Sequence, residues 1–93
     1  MFEADEHFRL VIDHPLAEIM EYGTIHQAPM PFIRPAIIEL SSQAELLYEM
    51  GGIEKVIESF KAILRKNLAK YGKSEVAEHI RFERVTEDDD DEL

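Results

Sequence analysis

The sequence predicts a small α+β fold: a sheet of short strands packed against a long amphipathic helix or helical hairpin. Three observations predict it. Two short alternating stretches lie near the ends, at residues 8–13 and 79–86. Between them two runs of apolar residues recur at helical spacing: Ile37, Leu40, Ala44, Leu47 and Met50, then Ile53, Val56, Ile57, Phe60, Ile63, Leu64 and Leu68. Finally, 93 residues, 45% hydrophobic and 32% charged, suffice for one thin core and no more. Residues 1–86 are assigned to a single domain and 87–93 to an acidic tail.

The elements follow in order. Residues 8–13 alternate, with Phe8, Leu10 and Ile12 on one side and Arg9, Val11 and Asp13 on the other. His14-Pro15 breaks this strand, and Pro15 suits the first turn of a helix, where its missing N–H is no loss. Leu16, Ile19 and Met20 carry the helix over residues 15–22, and Gly23 ends it. Residues 24–35 hold Pro29, Pro31 and Pro35, which predicts a stiff extended loop. Pro35 is expected to open the next helix. Gly51-Gly52 then either turns the chain into a hairpin or kinks one long helix. A break is the expected outcome, because each glycine costs about 1 kcal/mol in a helix interior. The second stripe runs to Gly72, with Glu54 and Glu58 toward its start and Arg65, Lys66 and Lys70 toward its end, as the helix dipole favours. Residues 74–78 offer one more helical turn, 79–86 a second strand, and 87–93 a segment too polar to fold.

Charge and composition exclude several classes of function. Twenty acids face ten bases, a net −10; six of the acids occupy residues 87–92, and the remainder is ordinary for a globular chain. A net-negative chain is a poor general binder of nucleic acid, so direct contact with it is not expected. The absence of cysteine removes disulfides, thiolate metal sites and cysteine nucleophiles. No apolar run approaches the ~20 residues of a membrane span. The acidic N-terminus is unlike a signal or transit peptide, so a soluble intracellular protein is expected. No serine stands in a nucleophile elbow and no glycine-rich phosphate loop is present. His14 and Glu18, four apart, are at most half of a metal site; a histidine at a helix start beside a solvated carboxylate is the expected reading, and no metal is expected. Neither a cofactor nor a small-molecule substrate is expected.

Two constellations remain. Lys61, Arg65, Lys66, Lys70 and Lys73 place half of all the bases within thirteen residues. They are the solvated face of an amphipathic helix, or a charged interface for an acidic partner, the chain's own tail or a neighbour's included. The second constellation is the proline loop. Glu21 and Arg34 are the charged residues nearest its two ends and are placed to pair across it, while Phe32 and Ile33 anchor it to the body.

The loop also carries a resemblance. Glu21-Tyr22-Gly23-Thr24, a short spacer, then Pro31-Phe32-Ile33-Arg34-Pro35-Ala36 opening a helix resembles the small head–tail joining proteins of long-tailed bacteriophages, also called neck, tail-completion or minor tail-component proteins. The strand and short helix before the first box match as well, as does the amphipathic helix after the second, so that residues 8–71 are covered. The family's N-terminal helix and its Pro-x-x-Thr-Gly segment have no counterpart here, and the chain is similar to the C-terminal half of the pattern. The residues from 79 onward are not part of it. The resemblance implies a non-catalytic structural subunit of a phage or prophage. Such a subunit forms a homo-oligomeric ring and contacts neck or tail proteins. It resides at the head–tail junction of the virion, and in the host cytoplasm during assembly. The competing reading is a small acidic, prophage-encoded regulatory module acting on a basic protein surface.

Overall fold

A computed structural model of the chain describes residues 7–85. It has the α+β arrangement expected. The element order is β1 (His7–Ile12), α1 (Pro15–Tyr22), α2 (Ile33–Ser41), α3 (Ala44–Lys70), α4 (Ser74–Ala77) and β2 (Ile80–Val85). The expected tail at 87–93 lies outside the described residues.

The first and last elements close the fold. β1 and β2 pair antiparallel, with Phe8 opposite Arg84, Leu10 opposite Phe82 and Ile12 opposite Ile80. Directly opposed residues share a face, so these six lie on one side, and Leu10, Ile12, Ile80 and Phe82 pack on the core. Arg9, Glu83 and Arg81 lie on the other, where Glu83 pairs with both arginines at 3.4 and 2.8 Å. Beneath the sheet a small core gathers Ala17 and Met20 of α1, Phe32 and Ala36 at the start of α2, Ile63, Leu64 and Leu68 of α3, and Val76 of α4. The rings of Phe60 and Phe82 meet at 5.5 Å and tie sheet to helix.

α1 begins as expected. His14 is its N-cap, its Nδ1 accepting from the Leu16 N–H at 3.1 Å, and its ring meets His79 edge-on at 4.9 Å. Among the described residues no three metal-ligating side chains cluster.

The middle of the chain departs from expectation in two places. The helix expected to open at Pro35 opens at Ile33, which puts Pro35 third. That helix was also expected to run through Ala44 to Met50, but it stops at Ser41. Ser41 Oγ donates to the Ile37 carbonyl and Ser42 Oγ to the Glu39 carbonyl, at 2.7 and 2.8 Å. Such side-chain bonds compete with the helical ladder. As a result the expected stripe is not continuous: Leu47 is buried, whereas Ile37 and Met50 are exposed.

At the glycines the break is real. Gly51 (φ −157°, ψ 16°) and Gly52 (φ 73°, ψ −164°) leave helical geometry, so α3 is two helices run together. The second returns along α2: Lys66 Nζ reaches Glu39 at 3.0 Å and Asn67 Nδ2 donates to the Phe32 carbonyl at 3.2 Å. Among the described residues no helix is long and apolar enough to cross a membrane.

Candidate functional site

The N-terminus of α2 poses a problem of three orphan amides. The first turn of a helix leaves the N–H groups of the N-cap and the next three residues without intrahelical partners. Here those positions are Phe32, Ile33, Arg34 and Pro35, and no Ser, Thr, Asp or Asn stands at the N-cap to satisfy their amides. Pro35 has no N–H. The other three are taken by one carboxylate from the preceding helix. Glu21 Oε1 accepts from Phe32 and Ile33 at 3.0 and 2.9 Å, and Oε2 accepts from the Arg34 amide at 3.0 Å.

Arg34 completes the arrangement. Its Nε donates to Glu21 Oε2 at 3.0 Å, and its Nη2 donates to the Glu21 carbonyl at 2.8 Å. The guanidinium also lies over the Tyr22 ring, 5.4 Å from its centre. The expected pair across the loop is therefore present, and it is asymmetric. The Glu21 side chain is 4% exposed and that of Arg34 58%.

Burial alone pushes the Glu21 pKa up. The amides of Ile33, Phe32 and Arg34 and the Arg34 guanidinium more than offset it, leaving Glu21 below its ordinary 4.5. A carboxylate whose folded pKa is depressed stabilises the fold above its unfolded pKa and loses that contribution as pH falls through the folded value. Stability should therefore decline below about pH 4.5 in part through this one group. Urea midpoints between pH 6 and pH 3 check it. Because other carboxylates titrate too, the wild type should lose more stability over this range than Glu21→Gln, and parallel declines would contradict the assignment.

The rest of the first box shapes the loop. The Gly23 N–H donates to the Ile19 carbonyl at 2.7 Å. Its conformation, φ 76° and ψ −177°, is one that only glycine adopts without strain. An added Cβ would meet the Gln27 carbonyl at 2.7 Å and Pro29 N at 2.9 Å. Thr24 and Gln27 exchange backbone hydrogen bonds at 2.9 and 3.3 Å, and Thr24 Oγ1 accepts from the His26 amide at 3.1 Å. The Met30 N–H then returns to the Met20 carbonyl at 2.7 Å, which brings half-buried Pro31 and fully buried Phe32 to the core. Gly52 provides a control, since it shares the unusual φ but a Cβ there meets nothing within 4 Å. Gly52→Ala should cost about 1–2 kcal/mol from conformation alone, and Gly23→Ala about 2–3 because a clash is added. Chemical denaturation of both variants checks the order.

Of the ten residues in the two boxes, Glu21, Tyr22, Phe32, Ile33 and Arg34 thus meet in one constellation, and Gly23 and Thr24 shape the loop between them. The basic residues do not join it. Lys61, Arg65, Lys66, Lys70 and Lys73 lie along the second half of α3 and the turn beyond. Lys61 lies over the Phe82 ring at 5.8 Å and Lys66 binds Glu39.

The sequence reading missed that Glu21 serves three backbone amides as well as Arg34, and it missed Asn67. A signal for the first was available: a helix start holding Pro35 but no capping side chain needs an acceptor from elsewhere. Beside the constellation runs a groove of 510 Å³, walled by Leu10, Ile12, Ile33 and Ile37 and rimmed by Tyr22 and Arg34. Comparison of the chain with family models, with curated proteins and with solved structures gives no match.

Proposed function

We propose that this chain is a structural virion-assembly protein: a head–tail connector, neck or tail-completion subunit of a phage or prophage, which joins head to tail through self-assembly. One observation carries the reading. The two boxes behind the resemblance to head–tail joining proteins are a single physical unit, because the carboxylate of the first box closes the helix opened by the second. Their order and spacing follow from that contact. What the unit builds is rigidity at an interaction surface. The end of α1, the loop and α2 carry Tyr22 (68% exposed), Ile25 (93%) and Ile38 (73%), and Tyr22 and Ile37 line one groove. Exposed apolar side chains on a stiff frame suit association more than catalysis. In this role the protein needs no cofactor or small-molecule substrate. It works as a homo-oligomeric ring between neck and tail proteins at the virion's head–tail junction.

Extract complementation tests the proposal. Purified protein added to a lysate of the phage lacking this gene should raise the plaque titre, as stored heads and tails join. No rise, in a lysate whose defect is corrected by expressing the gene in the cell, would contradict the joining role.

A further inference from the structure

The two-stranded sheet has a free edge with a groove beneath it. The Asp13 N–H donates to the His79 carbonyl at 3.1 Å, one step beyond the opposed pair Ile12 and Ile80. Opposed pairs in an antiparallel ladder alternate between hydrogen-bonded and non-hydrogen-bonded. Val11 and Arg9 therefore bond to Arg81 and Glu83, while the N–H and C=O groups of Phe8, Leu10 and Ile12 point away from β2. Among the described residues nothing pairs with them. The 510 Å³ groove opens along this edge, because β1, α1 and α2 line it and no residue of β2 does. Beneath β2, by contrast, α3 packs, with Phe60 against the Phe82 ring and Lys61 over it. A two-stranded sheet is marginal by itself, and an open edge above an apolar groove is a template for a further strand.

We infer that the free edge of β1 docks β1 of a second copy of this chain, antiparallel across a two-fold axis at Leu10, so that the two sheets join as one. The strand is complementary to itself about that residue. With Leu10 opposite the partner's Leu10, Phe8 stands opposite the partner's Ile12, and every outward-pointing residue meets another. Their side chains share the core face, so the partner's Phe8 comes beside Ile12, in the groove walled by Ile12, Ile33 and Ile37. On the other face Arg9 stands opposite the partner's Val11 and diagonal to the partner's Asp13, and Asp13 is an exposed acid with no ion pair among the described residues. A register centred on Arg9 would oppose like charges.

Other occupants fit this edge less well. Residues 87–92 are all acids, of low β-propensity, and alternate ones would point into an apolar groove already edged by Glu18. Residues 1–6 have no glycine or asparagine to supply the positive φ of a tight hairpin back along β1. β2 of a copy would bring its own α3 toward the groove, whereas β1 brings an equally open face. A two-fold contact closes after two copies, so the inference does not rest on the joining role, and a ring of such dimers closes through another surface.

The chain has no cysteine, so disulfide mapping reads the register directly. Arg9→Cys and Val11→Cys both change the face of β1 turned away from the core, and circular dichroism confirms that each full-length variant is folded. In the inferred register position 9 of one copy faces position 11 of the other as a non-hydrogen-bonded pair, about 4.5 Å apart at Cα and within disulfide reach. Positions 9 and 9, or 11 and 11, are diagonals about 7–8 Å apart, at or beyond its limit. Mixed and mildly oxidised, the two variants should give at least about tenfold more crosslinked dimer than either alone. Sedimentation equilibrium of the wild type should show the dimer. A wild type that is monomeric at every concentration overturns the inference, as does crosslinking no greater in the mixture than in either variant alone. So does Arg9→Cys crosslinking to Glu83→Cys in place of Val11→Cys, which would assign the edge to β2 of the copy. None of these results alters the outcome of extract complementation, which tests the joining role separately.

Discussion

Replacing Glu21 by alanine is expected to destabilise the fold by about 3–4 kcal/mol, while Arg34→Met costs about 1. The two residues form one ion pair, yet their losses are unequal. Without Glu21, three first-turn amides lose their acceptor together, and Phe32, whose amide is among them, is fully buried. The Arg34 guanidinium is left without its carboxylate, but it reaches water. Without Arg34, the carboxylate still holds all three amides and loses only the charge-assisted bond at 3.0 Å. Urea denaturation of both single variants and the double variant measures the asymmetry and the coupling. The double variant should be little less stable than Glu21→Ala alone, because Arg34 acts on the fold chiefly through Glu21. Equal single effects, or full additivity, would mean that the pair is an ordinary surface salt bridge.

Phe32→Ala should cost about 3–5 kcal/mol, the range for removing a buried aromatic ring. Its side chain is 0% exposed and joins Met20, Leu64 and Leu68 in the core. The position has a double duty. The same residue is the N-cap of α2, and its carbonyl accepts from Asn67 on α3. Losing the ring unpins the loop at the point where α1, α2 and α3 meet. A domain of this size holds only about 5–10 kcal/mol of stability, so a large part of it depends on this residue. Phe32→Leu keeps most of the apolar volume and should retain most of the stability. If Phe32→Ala melted within 3 °C of the wild type, the loop would not be anchored by this ring.

Much of the fold is legible in the sequence because its signals are local. Alternation over 8–13 and 79–86 marks the strands, and the spacing from Ile53 to Leu68 marks the helix whose Val56, Ile63, Leu64 and Leu68 are buried. The helix boundaries around 33–44 were less legible. Ile37, Leu40 and Ala44 keep helical spacing through a break made by two serine side chains, and Ser41-Ser42 is a weak signal beside that periodicity. At the site, the Glu21–Arg34 pairing follows from two opposite charges at the ends of one stiff loop. The three amide contacts do not, because backbone groups leave no mark in a sequence. They emerge only by asking which residue satisfies a helix start that lacks a capping side chain.

Electron microscopy of a lysate from the phage lacking this gene tests the joining role most directly. The account predicts DNA-filled heads and complete tails lying separate, with Phe32→Ala giving the same picture. Normal joined virions would contradict it, and empty or absent heads would place the protein at an earlier step of assembly.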